Sequence, residues 1–580
     1  MIVKRGSFSS VTDLVCANTG MTEEELLNDK KNYRIDGLSE AKDMLSQAMA
    51  NQKTIYVFGD YDVDGVCSSA IVMTGMTVAG YGDKTVVRLP KRFSEGYGVS
   101  EKAVDEFEDG QVLITVDNGI TALAAIKKAK QKGMQVIVID HHLPLLDEDG
   151  NAMLPEADII IDPKAIPGSA DFDGYCGAGL AYRVMYRIAR NKNTIWKMLT
   201  LAAIATIADA MPLTRENRRI VKFGLSNMTN SSRTTSGLYA LLLVHECTEY
   251  VTEETVSFKI APCLNAPGRL FDYGSYDSYR LITYDGNLQE AKSMAKKQME
   301  WNQTRRTLSE EWTAKAIEQA DAHVLMGKKP VILFVDGIPE GIIGIVAGRV
   351  AEYTKCPCII LARSNEDPEM LKGSARSYGD IHLYNLIREG AEFLTRFGGH
   401  KEAAGLSVRE QDLEPFCERM YRTYQEQCSE AQEDNNMYYD LEINGQDEKT
   451  LRGVLEDIQK YGPYGQGNPQ PVLLMKGFLL VPMKSGYFQY TSNRTAVRMS
   501  SKELDFISFH DVEQFERIGA PAVIDALGTA SVNPYMGTPR HRLEFSYIRE
   551  SRNVQKEKST LALLIAQKAA ERSQRCENNK

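Results

Sequence analysis

Three acids stand at alternate positions in Thr54-Ile55-Tyr56-Val57-Phe58-Gly59-Asp60-Tyr61-Asp62-Val63-Asp64-Gly65, directly after an apolar, β-branched run. The arrangement recurs. Val112-Leu113-Ile114-Thr115-Val116 runs into Asp117-Asn118-Gly119, and Val136-Ile137-Val138-Ile139 runs into Asp140-His141-His142. A fourth apolar stretch, 199–208, reads as a helix and ends in Asp209-Ala210-Met211-Pro212. A single Asp after a strand is ordinarily a turn former or a helix cap. Three such strand ends in one sheet, with two of only eight histidines at one of them, point instead to a site. Crowded carboxylates are unfavourable unless cations neutralise them. Carboxylates with one imidazole form a mixed oxygen and nitrogen ligand set that suits Mn²⁺ and accommodates Mg²⁺. A shared carboxylate can hold two ions about 3.5–4 Å apart, the arrangement that clamps attacking and leaving oxygens in phosphoryl chemistry.

The elements that must position these residues are legible around them. Strand patterns at 54–58, 85–89, 112–116, 135–139 and 158–161 alternate with helical stretches near 66–79, 100–107 and 121–132. Buried-type strands separated by helices predict a parallel, doubly wound α/β sheet, whose carboxyl edge is where such folds hold ligands. Residues 1–50 read as polar helices, with a capping-box start at Thr22-Glu23-Glu24-Glu25. Residues 177–320 are mostly helical, and Glu290 to Ala322 reads as one long amphipathic connector. A second α/β unit begins at the strand Pro330–Val335 and continues through a helix at 343–353 and a strand at 358–361 to a glycine-rich ending near 398–405. Ser429 to Asn436 is a solvated linker, and 438–549 shows short strands and turns, expected to form a small all-β barrel or sandwich. The domain expectation is therefore N-terminal helices plus the first α/β domain over 1–215, a helical connector over 216–322 and the second α/β domain over 323–430. An OB-like barrel over 437–552 and a helical tail over 553–580 complete it.

A chain of 580 residues is too long for one core. Its 43% hydrophobic and 25% charged composition is that of soluble globular domains and argues against long disorder. No apolar run is long enough to span a membrane, and the first residues lack the apolar core of a signal peptide. Ten cysteines, scattered except for Cys356-Pro357-Cys358, suit no zinc knot and read as reduced thiols in a cytoplasmic protein. A net charge of −10 does not by itself favour nucleic acid, but it averages a surface that can still hold a basic groove.

Asp60-Tyr61-Asp62-Val63-Asp64-Gly65, Asp117-Asn118-Gly119 and Asp140-His141-His142 resemble the motifs of the DHH phosphoesterase superfamily. Their order and spacing are similar to its RecJ-type, single-strand-specific exonuclease branch. Arg92-Phe93-Ser94-Glu95-Gly96-Tyr97-Gly98, Cys176-Gly177-Ala178-Gly179-Leu180-Ala181, Ile207-Ala208-Asp209-Ala210-Met211-Pro212-Leu213 and Leu264-Asn265-Ala266-Pro267-Gly268-Arg269 resemble further blocks of that branch. Gly398-Gly399-His400 is similar to the signature of the DHH-associated domain, and Pro463-Tyr464-Gly465-Gln466-Gly467-Asn468-Pro469 to the entry of the branch's oligonucleotide-binding barrel. The resemblance implies that Asp62, Asp64, Asp117, His141 and Asp209 hold metal, two Mn²⁺ ions or Mg²⁺, with Asp117 as the bridge. It implies that His142 faces the scissile phosphate, and Asp60 is expected to support the loop. Phe58 stands where many superfamily members carry a metal-binding His, so one ion is expected to have fewer side-chain ligands. Pro339 replaces a His commonly found before Glu340-Gly341.

Ser374-Ala375-Arg376-Ser377 resembles the family segment that meets a terminal phosphate. A hydroxyl and a guanidinium two residues apart on a strand share one face, which suits a dianion. Arg92, Arg269 and His400 are further substrate candidates from matching motifs. In the barrel, Tyr487, Phe488 and Tyr490 with Arg494 and Arg498 are placed to stack and pair with a single strand, although barrel aromatics are more often core. The function expected from the resemblance is a metal-dependent 5′→3′ exonuclease on single-stranded DNA in repair and recombination. Its expected partners are that DNA and a single-strand-binding protein or helicase, and it is expected to be monomeric and without a membrane role. The alternatives are a phosphoesterase of short oligonucleotides or cyclic dinucleotides, and a nuclease-dead DNA-binding scaffold.

Overall fold

The computed structural model describes the chain except residues 148, 190, 365–366, 428–435, 446, 482–487, 491–495, 502–503, 510–522, 534–539 and 552–580. The expected C-terminal helix, most of the linker, Tyr487 and Arg494 lie outside the described residues. The chain divides into two compact units. One comprises Asn32–Met211 and Arg219–Glu433, and the other comprises Met1–Lys31, Pro212–Arg218 and the chain from Asp434 onward.

The first unit is built on β1 (Ile55–Phe58), α1 (Val63–Val78), β2 (Thr85–Arg88), β3 (Val112–Val116), β4 (Gln135–Ile139) and β5 (Ile159–Ile161). The strands form one parallel sheet in the order β2-β1-β3-β4-β5. β1 and β3 are buried at every position, as strands covered on both faces must be. The order reverses between β1 and β3, so the loops leaving their carboxyl ends diverge and open a crevice there. That crevice receives the acidic turn after β1 and Asp117 after β3. α1 is apolar on nearly every side and buried, as are α2 (Gly177–Tyr186) and α3 (Lys192–Ala208), which pack beside it.

α4 (Ala261–Leu270) follows, and then α5 (Leu288–Leu325), a single helix of 38 residues, about 57 Å long at the usual rise. Its buried stripe is small and polar, Ala291, Ala295, Gln298, Asn302, Ser309, Thr313, Ala316 and Ala320, which permits close approach of its neighbours along the whole length. The connector expected over 290–322 is this helix. Beyond it β6 (Val331–Phe334), α6 (Ile343–Thr354), β7 (Cys358–Arg363), β8 (Met370–Arg376), β9 (Leu394–Gly399) and β10 (Ala403–Arg409) form the second α/β domain. Its sheet runs β9-β10-β8-β7-β6, parallel only between β6 and β7.

The other unit contains a seven-stranded sheet whose central members, Val472–Leu479, Val523–Asn533 and Arg540–Glu550, are longer than the short strands expected. A helix the sequence reading omitted, Glu448–Tyr461, buries Leu451, Leu455, Ile458 and Tyr461 in its core. Met1–Lys31, grouped by sequence with the first α/β domain, cluster with this unit, whereas the N-terminal residues from Asn32 on stay with the first. Ile2–Lys4 pairs in parallel with Met437–Tyr439, and Val11, Val15, Met21 and Leu26 join the core of the seven-stranded sheet.

Candidate metal centre and phosphate pocket

Asp62 caps α1. Its Oδ1 accepts from the backbone N–H groups of Asp64 at 3.0 Å and Gly65 at 3.2 Å, which aims the carboxylate across the helix start. Asp64 lies in the first turn and accepts from the Gly177 and Ala178 N–H groups at 2.7 and 2.8 Å, so the amino end of α2 fixes its orientation. α2 approaches this closely because residue 177 is glycine: a Cβ there would stand 2.7 Å from Asp117 Cβ. Asp117 itself has φ +60°, a left-handed conformation uncommon outside glycine, at the end of β3. Asn118 secures that bend by donating to the carbonyls of Phe58 and Val116 at 3.2 and 2.9 Å.

His141 Nε2 lies 3.1 Å from Asp117 Oδ1, 3.5 Å from Asp64 Oδ2 and 3.7 Å from Asp209 Oδ2. Burial, together with the neighbouring His142 charge, pushes its pKa down to about 4, so the ring is neutral and its lone pair is available. Asp209 caps the end of α3, and burial together with Asp64 and Asp62 pushes its pKa up to about 8. Burial and the same neighbours raise Asp117 far above the usual carboxylate range. Asp60 is raised likewise by burial and by Asp62, and its Oδ1 is buried without a hydrogen-bond partner.

Three overlapping groups bring ligand atoms within 4.8 Å of one another: Asp60–Asp62–Asp117, Asp64–His141–Asp209 and Asp117–His141–His142. An oxygen-rich donor set with one neutral imidazole, an unpaired buried oxygen, and Asp60, Asp117 and Asp209 raised by burial and neighbouring acids fits divalent cations of the Mn²⁺ or Mg²⁺ type. Asp60, expected only to support the loop, is part of the cluster. Phe58 is packed in the apolar layer with Phe107, ring centroids 6.5 Å apart, on the side of the sheet that carries Tyr56, Leu113 and Val136.

His142 behaves differently. Burial alone would lower its pKa, but the Asp140 carboxylate, 2.7 Å from Nδ1, outweighs this and lifts it to about 9. Asp140 is buried and also accepts from the Ile120 N–H, so it cannot turn away. The Tyr97 hydroxyl lies 3.0 Å from the same Nδ1 and 3.1 Å from the Asp117 carbonyl. The imidazolium is therefore held at one nitrogen, while its side chain is 42% exposed. Tyr97 and Lys164, whose Nζ is 3.4 Å from His141 Nδ1, were not singled out by sequence. Tyr97 belongs to the Arg92–Gly98 block, and Lys164 follows the end of β5 as the acids follow the ends of β1, β3 and β4.

The substrate candidates surround this centre. The Arg92 guanidinium stacks 4.3 Å from the centroid of Tyr61, between Asp60 and Asp62 in sequence. Arg269 donates to the Gly341 carbonyl at 3.2 Å, and burial with the nearby Arg92, Arg305 and Arg376 charges pushes its pKa down to about 9. Arg376 Nη1 lies 3.1 Å from Ser374 Oγ on one face of β8. α6 lies against that pair because residue 344 is glycine; a Cβ there would be 2.9 Å from both. Three crowded guanidinium groups, none in a salt bridge within 4.0 Å of an acid among the described residues, suit a phosphate dianion. His400 sits in the β9–β10 turn; burial lowers its pKa against the opposing charge of Glu402, and the charges of Arg376, His142 and Lys164 also reach it. In the other unit, Phe488 and Tyr490 meet edge to face, ring centroids 5.2 Å apart, and pack partly buried against the sheet core, whereas Arg498 is exposed.

Models of known families match three segments: the DHH family N-terminal domain at 54–206, the DHHA1 domain at 327–426 and the RecJ OB domain at 439–547. The single-stranded-DNA-specific exonuclease RecJ of Bacillus subtilis is 30% identical over 88% of this chain, which spans 63% of that relative's length. The Haemophilus influenzae protein of the same name is also 30% identical, over 78% of this chain and 79% of its own. The crystal structure of Thermus thermophilus RecJ in complex with Mn²⁺ superposes with a TM-score of 0.74 at 25% identity, covering 95% of this chain and 79% of that one. The chain belongs to the RecJ family.

Proposed function

We propose that the protein is a divalent-metal-dependent exonuclease that degrades single-stranded DNA from its 5′ end to mononucleotides, in DNA repair and recombination. The observation that carries this reading is the set of three overlapping acid and histidine groups at the carboxyl edge of the parallel sheet, joined through Asp117 and His141. The Mn²⁺ complex of the Thermus relative and the names of the curated relatives support it. Asp62, Asp64, Asp117, His141 and Asp209, with Asp60, would hold two ions, Asp117 being shared. Ions bound there supply Lewis-acid stabilisation at phosphoryl oxygens.

The chain's own residues do the rest. Burial keeps His141 a neutral ligand. Asp140 and Tyr97 hold His142 as an imidazolium whose free side presents positive charge to the scissile phosphodiester, stabilising charge that builds in the transition state. Arg92, Arg269, Ser374 and Arg376 grip the terminal phosphate, which fixes the scissile bond relative to the strand's end and gives the 5′ polarity. His400 approaches from the second α/β domain. The seven-stranded unit, expected as the OB-like barrel over 437–552, would bind single-stranded DNA by charge and stacking, with little sequence readout. A single-strand-binding protein or helicase would deliver the substrate to a monomer. The eight described cysteines are free thiols, which suits a cytoplasmic setting.

The test is end-resolved digestion of 5′-labelled single- and double-stranded DNA with Mn²⁺ or Mg²⁺, using the wild type and Asp117→Ala. Stepwise 5′ mononucleotide release from the single strand alone, lost in the variant, is expected. Equal cleavage of duplex, or full activity in the variant, overturns the reading, and hydrolysis of an added cyclic dinucleotide in preference to DNA would favour the small-substrate alternative.

A further inference from the structure

Arg92 is carried by a loop, residues 90–96, that is pinned from three sides. Glu95 braces it from within, its Oε1 2.8 Å from Arg88 Nη2 and its Oε2 accepting from the Lys91 N–H at 3.0 Å. Asp272, after α4, accepts from the Phe93 and Ser94 N–H groups at 2.8 and 3.2 Å and from the Ser94 hydroxyl at 2.6 Å. The third pin comes from the second α/β domain. Lys372 Nζ donates to the Phe93 carbonyl at 3.3 Å and pairs with Glu340 Oε1 at 2.9 Å.

Both partners of that pair adjoin the phosphate pocket. Lys372 shares its face of β8 with Ser374 and Arg376, at the two-residue spacing of a strand. Glu340 precedes Gly341, whose carbonyl accepts from Arg269. One ion pair therefore touches, within a single covalent or hydrogen-bonded step, the segments bearing Arg92, Arg269, Ser374 and Arg376. It is also shielded: the side chains are 25% and 14% exposed, and Glu340 Oε2 is buried without a partner.

We propose that Lys372 and Glu340 are positioning residues for the 5′-phosphate, tying the Arg92 loop of the first α/β domain to β8 of the second so that both close on one phosphate. The inference rests on the proposed reading of Arg92, Arg269, Ser374 and Arg376 as the terminal-phosphate residues. A charge-assisted hydrogen bond to the loop's carbonyl removes freedom that Arg92 would otherwise lose on binding. Removing Lys372 does more than loosen the loop, because it leaves the Glu340 carboxylate shielded and uncompensated beside an incoming anion. Losing the ammonium alone is therefore more harmful than losing both charges.

The experiment is steady-state hydrolysis, by the full-length protein with Mn²⁺, of single-stranded oligonucleotides bearing a 5′-phosphate or a 5′-hydroxyl. In Lys372→Met, KM for the phosphorylated strand is expected to rise about tenfold, the effect of one lost charge-assisted contact, with kcat unchanged. KM for the hydroxyl-ended strand is expected to stay put. Lys372→Met with Glu340→Gln recovers part of the loss, and Lys372→Arg retains most of the phosphate preference. Should Lys372→Met prove unstable, Glu340→Gln alone carries the test through a smaller rise in the same KM. Equal effects on both strand ends, or a double variant as poor as the single one, overturn the proposal. A wild type indifferent to the 5′-phosphate overturns the pocket reading and this inference with it, whereas a wild-type preference that Lys372→Met leaves intact overturns this inference alone.

Discussion

Asp60 carries a buried carboxylate with Asp62 beside it and one oxygen unpartnered. Its pKa is raised in the fold, so at neutral pH the folded chain must take up a proton or hold a charge that the unfolded chain carries freely in water. Either way the group opposes folding in the absence of cations. Asp60→Asn is therefore expected to stabilise the protein in chelator, by roughly 1–3 kcal/mol, the range for desolvating one polar group, while weakening activation by Mn²⁺. Thermal melts in EDTA and Mn²⁺-dependent activity check the two halves; a variant less stable in chelator would contradict the first. His142 calls for the opposite pattern. Because it is proposed to meet the substrate and not to complete the metal set, His142→Gln should lower kcat by about 10²–10³, the usual effect of removing one transition-state donor, with little change in the Mn²⁺ concentration for half-activation. A large shift in that concentration would make His142 a ligand instead. The acids and histidines were legible in the sequence because strand ends and glycines frame them. Asp60's standing among them was not, because burial and the lack of a partner are properties of the packed turn. The role of Tyr97, though it stands in the Arg92–Gly98 block, was not legible for a similar reason, its partners Asp117 and His142 lying 20 and 45 residues away.

At the scale of elements, the site depends on how closely α2 meets the ends of β1 and β3. Two backbone N–H groups of α2 hold Asp64, and Gly177 is what permits the approach. Gly177→Ala would place a methyl group 2.7 Å from Asp117 Cβ, so the helix must withdraw and release Asp64. A loss of about 1–3 kcal/mol, as for overpacking in a dense core, is expected together with near-complete loss of activity. Gly179→Ala is the control two residues on: its Cβ would meet Tyr175 at 3.5 Å and Cys176 Sγ at 3.8 Å, both ordinary contacts. Equal behaviour of the two variants in melting and activity assays would refute the argument. The parallel strands were readable because each is a continuous apolar run bounded by turn residues. The helix Glu448–Tyr461 was missed although Leu451, Leu455 and Ile458 have helical spacing, because turn-rich segments on either side suggested strands throughout. The pairing of Ile2–Lys4 with Met437–Tyr439 has no local signature at all.

At the scale of the whole molecule, the proposed chemistry lies in one compact unit. Every acid, histidine, arginine and serine of the centre and pocket falls within Asn32–Met211 or Arg219–Glu433. The other unit has its own core, assembled from Val11, Val15 and Leu26 near the amino end together with Leu473, Phe506 and Phe545. Two compact units in one chain let a ligand stabilise one part without the other, since binding energy reaches only the openings that break the site. Divalent metal should therefore slow amide exchange at the strand ends around residues 59–65, 116–120 and 140–142 and in the first turns of α1 and α2. For amides that exchange only through opening of the site, metal at about 100 times its Kd adds about 2.7 kcal/mol, near a hundredfold in rate. Exchange in Val472–Leu479, Val523–Asn533 and Arg540–Glu550 should be unchanged by metal. Asp117→Ala should abolish the protection in the first unit. Hydrogen exchange read by mass spectrometry, with Mg²⁺ and with EDTA, decides the matter. Protection spread evenly over both units would show that the acid cluster is energetically coupled to the seven-stranded sheet, and protection that survives Asp117→Ala would place the ion elsewhere.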